Sequence, residues 1–345
     1  MTYKRARQYG FTFGSIPTGK QNSITDVKGV KVGHQTIIKG SAIRTGVTAI
    51  LPHGGNLFQK KVIGGSFVLN GFGKTTGLVQ LEELGTIESP ILLTNTFSVP
   101  AVTEGGLAHL FAKNPEIGVA TGTANVIVAE CNDGYLNDIK GFHVRPNDAE
   151  QAINHASRKS VDEGSVGAGT GMSCLGYKGG VGTSSRSIGS YTVGCLVLTN
   201  YGKKEDWQYS RHGNRLQSQP SSQSQALPDG SIIIVLATDA PLDARQLKRL
   251  SKRGALGLGR TGSYAANGSG DIVLSFSTAF KVPHIFPRHL MTYHFLHDSD
   301  PQLNQLFAAS ADAVEEAILN ALCAAGPMTG FNGHQRTSFT DALRK

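Results

Sequence analysis

The chain has 345 residues, of which 39% are apolar and 17% charged, and its 33 basic and 25 acidic side chains give a formal charge of +8. At roughly 150 residues per domain this length suits one large core or two smaller ones. Bulk disorder, which needs low hydrophobicity and high net charge, is excluded. So is an integral membrane protein, because no apolar run approaches the roughly 18–20 residues that a spanning helix requires.

In chain order, short β-rich apolar runs at 47–51, 91–93 and 126–128 read as strands, and 149–160 reads as a helix. Strands follow at 193–198 and 232–236, a helix at 242–250, a strand at 272–276 and a helix at 303–322. In that last segment Leu303, Leu306, Phe307, Val314, Ile318 and Leu322 share one stripe, as a packed amphipathic helix requires. Strands mixed with helices point to a layered α/β or α+β protein. Glycine is in excess at 43 residues with no three-residue period, so it serves turns and close packing and not a collagen helix.

The basic N-terminus (Lys4, Arg5, Arg7, Lys20) has no apolar segment and small-residue cleavage site after it, so no secretory signal is expected. Cys131, Cys174, Cys195 and Cys323 are scattered without a CxxC pair, which points to a reduced cytoplasm and to neither disulfides nor a zinc knuckle. Arg245, Lys248, Arg249, Lys252 and Arg253 form one helical stripe opposite Leu247 and Leu250. With no base-reading side chains beside it, this stripe reads as a solvated face and not a nucleic-acid site.

Several motifs fail inspection. Gly257-Leu258-Gly259-Arg260-Thr261-Gly262 matches GxGxxG but follows a helix instead of a strand. Gly73-Lys74-Thr75 resembles the end of a P-loop, but Val68 stands where its first glycine belongs. No GxSxG elbow is present. His284, His289, His294 and His297 lack metal-ligand spacing and read as surface or packing residues.

Three places carry more. The polar run at 217–225 leads through Asp229 and Gly230 to Ser231, where an apolar strand opens. It is either an ordinary linker or a processing site. A glycine before a serine suits backbone self-cleavage, since it tolerates strain and does not shield its carbonyl. Cleavage would leave Ser231 with a free α-amine of pKa about 7.7–8.0, a general base for its own hydroxyl. Next, Asn267-Gly268-Ser269-Gly270-Asp271 puts Ser269 and Asp271 on one face before a strand. This is either a turn or a hydroxyl–carboxylate pair able to hold an amine. Last, the glycine-dense stretch 167–183 is either close packing or a donor-rich loop.

With these strings the chain resembles the L-aminopeptidase/D-esterase family, which includes the β-peptidyl aminopeptidases. The resemblance rests on ordered motifs across nearly the whole chain. They are Ile24-Thr25-Asp26-Val27, Gly29-Val30-Lys31-Val32-Gly33-His34, Glu130-Cys131-Asn132-Asp133-Gly134 and Leu136-Asn137-Asp138-Ile139. Then come Val166-Gly167-Ala168-Gly169-Thr170-Gly171, Lys178-Gly179-Gly180-Val181-Gly182-Thr183, Asn200-Tyr201-Gly202 and the Ser231 and Ser269 motifs.

The resemblance implies an α+β fold, a four-layer αββα sandwich similar to the N-terminal-nucleophile hydrolases. It implies a precursor that cuts itself between Gly230 and Ser231 into chains 1–230 and 231–345, assembled as a homotetramer of αβ units. Ser231 is then the nucleophile, Ser269 and Asp271 assist its amine, Asn200 is the oxyanion donor and Glu130 anchors the substrate's N-terminal ammonium. Asn132 stands where some relatives have a tyrosine, and Gly326-Pro327-Met328-Thr329-Gly330 replaces an acidic-threonine string. The implied substrates are short peptides, amino-acid amides or esters, with no metal or organic cofactor, nucleic acid or membrane partner. An acyltransferase on a related self-cleaving scaffold is the alternative, disfavoured because such enzymes normally use threonine. A polyanion-binding protein using the basic stripe is a remote one.

Overall fold

The computed structural model describes residues 3–216, 230–285 and 288–343. The linker expected at 217–229 lies outside the described residues. The main strands, in chain order, are β1 (Lys31–Lys39), β2 (Ile43–Leu51), β3 (Lys60–Gly71), β4 (Thr86–Ile87), β5 (Ile91–Asn95) and β6 (Ile127–Cys131). They continue with β7 (Ser173–Cys174), β8 (Tyr177–Lys178), β9 (Gly180–Ile188), β10 (Tyr191–Asn200), β11 (Ser231–Thr238) and β12 (Gly270–Pro283). The α-helices are α1 (Leu78–Leu84), α2 (Val99–Lys113), α3 (Pro146–Asn154), α4 (Ala244–Gly259) and α5 (Pro301–Ala324). Among the described residues no helix is long and apolar enough to cross a membrane.

One sheet has the order β1-β2-β5-β6 and the other β4-β3-β12-β11-β10-β9. Successive side chains of a strand point to opposite faces, and β11 divides its apolar run accordingly. Ile233, Val235 and Ala237 meet Leu196 and Leu198 of β10 and Ile127 and Ala129 of β6 between the sheets. Ile232, Ile234 and Leu236 pack instead with Leu247 and Leu250 of α4 and Val314 and Ile318 of α5. On the outer face of the smaller sheet, Val47, Leu92 and Val128 meet Val102 and Leu110 of α2 and Ala149 and Ile153 of α3. The layers run helix, sheet, sheet, helix, which is the expected αββα sandwich.

Element boundaries moved where backbone partners override pattern. The helix read at 149–160 is Pro146–Asn154, because Ser157 leaves it to exchange two backbone hydrogen bonds with Val32 of β1. The helix read at 242–250 starts one residue after Asp243, whose carboxylate caps Gln246 N–H, and runs on to Gly259. The GxGxxG string therefore begins inside that helix, as one of its packing faces: a Cβ on Gly257 would stand 2.3 Å from Ala311 O of α5. The glycine-dense stretch is close packing as well, since a Cβ on Gly182 of β9 would stand 2.0 Å from Ala317 O of α5.

The N-terminal segment is tied to α5 by buried charge. Glu316 accepts from Arg7 at 2.7 and 2.8 Å and pairs with Arg186 at 2.7 Å, with both the Arg186 and Glu316 side chains fully buried. Burial pushes the Glu316 carboxyl up, but the two guanidinium groups and Asn22 outweigh it and hold the carboxyl below its usual range.

Candidate active site

Three adjacent strands of the six-stranded sheet bring distant residues to one edge. Asn200, the last residue of β10, is the antiparallel partner of Ser231, the first of β11. On the other side of β11, Ile232 is the parallel partner of Asp271 in β12. Strand β12 begins at Gly270, so Asp271 lies within the strand and not ahead of it.

Ser231 Oγ accepts the Gly270 N–H at 3.2 Å. A donor placed so would stabilise negative charge on that oxygen if its proton were removed. Next to it, Ser269 Oγ donates to Asp271 Oδ1 at 2.8 Å, which confirms the one-face pairing read from the sequence. Asp271 Oδ2 is buried and has no hydrogen-bond partner among the described residues. Burial pushes the Asp271 carboxyl up to about 6, against the opposing pull of the Ser269 hydroxyl. A buried carboxylate with one oxygen held and the other free is equipped to take a proton or hold an ammonium.

Asn200 is buried, and its Oδ1 accepts the Ser173 N–H at 2.9 Å. That bond fixes which end of the amide is which, and leaves the NH2 end to donate elsewhere. Gly230 is half-buried against the backbone of Asn200 and Tyr201.

Glu130 is buried in β6 of the smaller sheet, and the loop after β3 joins it to this edge. Its Oε1 accepts the Lys74 N–H at 2.8 Å, and its Oε2 accepts from the Thr96 hydroxyl. Burial raises its carboxyl above the usual range, against these two donors and the Lys74 charge. A Cβ on Gly73 would stand 3.7 Å from Glu130 Oε1 and 3.6 Å from Gly270 Cα, so a single glycine separates the carboxylate from the residue that contacts Ser231. Asn132 is exposed just beyond β6, and its Oδ1 accepts the Gly134 N–H at 2.9 Å.

Thr96 and Ser173 carry no motif, and Gly73 and Lys74 stood out only as part of a rejected P-loop string. Lys178 opens one of the strings that carry the resemblance but has no role assigned there. It is the sole charged residue between Glu163 and Arg186, and its side chain is fully buried.

The remaining features belong to packing. His284 bonds Thr121 Oγ1 at 2.6 Å and packs tilted against the Phe58 ring, while His297 Nδ1 accepts the Ser299 N–H. In the basic stripe, Arg245 and Arg249 pair with Asp298 and Lys248 pairs with Glu82. Arg253 lies over the Phe307 ring.

The sequence pattern of peptidase family S58 matches residues 22–336. The β-peptidyl aminopeptidase BapA of Sphingosinicella microcystinivorans is 40% identical, and the match covers 96% of this chain and 88% of that protein. Among solved structures, the PH0078 protein of Pyrococcus horikoshii OT3 is 47% identical with a TM-score of 0.90, covering 97% of this chain and 96% of that one. The L-aminopeptidase D-Ala-esterase/amidase of Ochrobactrum anthropi is described as a prototype serine aminopeptidase with a variant Ntn hydrolase fold. It is 37% identical with a TM-score of 0.88, covering 97% of this chain and 95% of that one.

Proposed function

The chain belongs to peptidase family S58 and is an aminopeptidase of that family; from that premise we propose that it cuts itself before Ser231 and then uses this serine as its nucleophile. The observation that carries the reading is Ser231 Oγ resting on the Gly270 N–H, one residue from a Ser269–Asp271 pair whose second carboxylate oxygen is free.

In the uncut chain Ser231 Oγ attacks the Gly230 carbonyl carbon. The C–N bond breaks, the nitrogen takes the hydroxyl proton, and an ester joins Gly230 to Ser231 Oγ. Water hydrolyses that ester, leaving a Gly230 carboxylate and a Ser231 α-amine in chains 1–230 and 231–345. In turnover this amine, with a pKa of about 7.7–8.0 in model compounds, takes the Oγ proton as Oγ attacks the first carbonyl of the substrate. The Asn200 NH2 donates to the oxyanion. The leaving amine departs with the proton, and water releases the acyl group. Ser269 and Asp271 hold the α-amine. Glu130 receives the substrate's N-terminal ammonium through a charge-assisted contact, and the exposed Asn132 offers its NH2 near the same end.

Short peptides, aminoacyl amides and esters with a free N-terminus fit this machinery. The four cysteines are all free and buried, which suits a reducing compartment such as the cytoplasm. Exposed Val79 and Leu84 on α1 offer apolar surface for assembly into a homotetramer.

Intact mass under denaturing conditions and turnover of an aminoacyl p-nitroanilide test the reading together. The expected result is two fragments split at Gly230–Ser231 with turnover, both lost in Ser231→Ala. A Ser231→Ala protein that is cut or turns over at the wild-type rate overturns it.

A further inference from the structure

Lys178 is fully buried at the end of β8, and its charge has no part in the chemistry above. Its ammonium donates to Gly169 O at 3.0 Å and to Gly179 O at 2.6 Å. No carboxylate of the described residues lies within ion-pair distance of it. The carboxylate that acts on it from further away is Asp133, itself fully buried, with Oδ1 bonded to Asn137.

Burying an ammonium is costly unless something compensates, and what this one holds is specific. The same two residues grip Met172 through the main chain, because Met172 N–H donates to Gly169 O and Gly179 N–H donates to Met172 O. The next residue is Ser173, whose N–H holds Asn200 Oδ1. The ammonium therefore closes a clasp around the backbone that sets the orientation of the Asn200 amide. Asp133 supports the same segment from its other side, since a Cβ on Gly171 would stand 2.9 Å from Asp133 Cβ.

We infer that Lys178 is a positioning residue for the oxyanion donor, clamping the 169–179 segment so that Ser173 N–H fixes Asn200 with its NH2 end turned to the reacting carbonyl. This rests on the reading of Asn200 given above. It does not involve Glu130, so substrate capture is untouched.

The test compares wild type, Lys178→Met, Lys178→Arg, Asn200→Ala and the Lys178→Met/Asn200→Ala double variant, with kcat and KM measured per cut chain on an aminoacyl p-nitroanilide. Removing one oxyanion donor typically costs about 10²–10³ in kcat, and Asn200→Ala is expected in that range. Lys178→Met is expected to lose about tenfold or more in kcat, bounded by the Asn200→Ala loss, with KM within about twofold. Lys178→Arg, which keeps donors to both carbonyls, is expected to recover most of that loss. The double variant is expected to be no slower than Asn200→Ala alone, since residues acting through one interaction are not additive. A residue that merely stabilises the fold would give additive losses.

Lys178→Met with wild-type kcat, or losses that multiply in the double variant, overturns the inference while leaving the nucleophile assignment intact. A wild-type protein that neither splits nor turns over overturns the functional reading and this inference with it. If Lys178→Met does not fold, Lys178→Gln, which keeps a single donor group, is judged by the same two outcomes.

Discussion

Gly230 and the carbonyl oxygen of Asn200 are so close that a Cβ on Gly230 would stand 1.8 Å from that oxygen and 2.6 Å from Tyr201 Cα. No side chain fits there without moving the backbone that leads into Ser231. Gly230→Ala is therefore expected to displace the scissile carbonyl and slow self-cleavage at least about tenfold, the effect of about 1.4 kcal/mol on a barrier. Denaturing mass spectrometry over time reads the rate, and cleavage at the wild-type rate would show that this contact does not govern it.

Self-cleavage is expected to follow the Asp271 carboxyl. Burial holds it near 6 in the uncut chain, and only the ionised form can take the Ser231 hydroxyl proton and pass it on to the departing nitrogen. The rate should rise with pH through about 6 and then level off. Ser269→Ala removes a hydrogen bond that favours the ionised form, so the midpoint should move to higher pH. In Asp271→Asn that step should vanish, leaving a slow process. Cleavage time courses between pH 5 and 8 on freshly refolded protein would reveal a midpoint that ignores both substitutions, which is the outcome that excludes this role.

Glu130→Gln keeps the shape and the acceptor for Lys74 N–H but removes the charge offered to a substrate ammonium. A hydrogen bond to a charged group contributes about 1.5–3 kcal/mol, so KM for a free aminoacyl amide should rise about 10- to 100-fold, with a smaller change in kcat. Steady-state kinetics on aminoacyl amides decide it, because a kcat defect at unchanged KM would assign Glu130 to the chemistry instead of the capture.

Glu316→Ala leaves the Arg186 guanidinium buried without its carboxylate. Breaking a buried pair by deleting one partner costs about 3–5 kcal/mol. Denaturant unfolding in the uncut Ser231→Ala background, where a single chain unfolds, should show that loss. A change below about 1 kcal/mol would mean the pair behaves like an exposed one.

Much of the inner architecture was legible because uncharged β-branched runs have few places to go. The 232–236 and 272–276 readings fall within β11 and β12, and Ser269 and Asp271 share a face as their spacing suggested, while their place beside Ser231 was implied only by the family resemblance. Helix α2 was not legible. Its Gly105 and Gly106 lower helix propensity, and they are there because Pro146 O of α3 and Val126 stand 2.2 and 2.6 Å from where their Cβ atoms would be. Strand β9 was hidden in the same way, by Gly182 packed on α5 and Gly180 packed on the backbone of Gly164. The supports of the site were illegible for a different reason. Ser173 and Lys74 act through main-chain N–H groups, which every non-proline residue possesses, and nothing in a side-chain pattern records where a backbone donor points.

The order of strands in the larger sheet has a thermodynamic consequence. β3, β9 and β10 precede the Gly230–Ser231 bond and β11 and β12 follow it, yet β11 and β12 sit side by side between β3 and β10. If that bond is cut as proposed, one hydrogen-bonded sheet is shared by two polypeptides, and unfolding becomes a dissociation. The cut protein's melting temperature would then gain a concentration dependence from the separation of its two chains, a term that the uncut chain lacks. Folding would precede scission, so the mature enzyme would carry a structure that its separated chains must find again by collision.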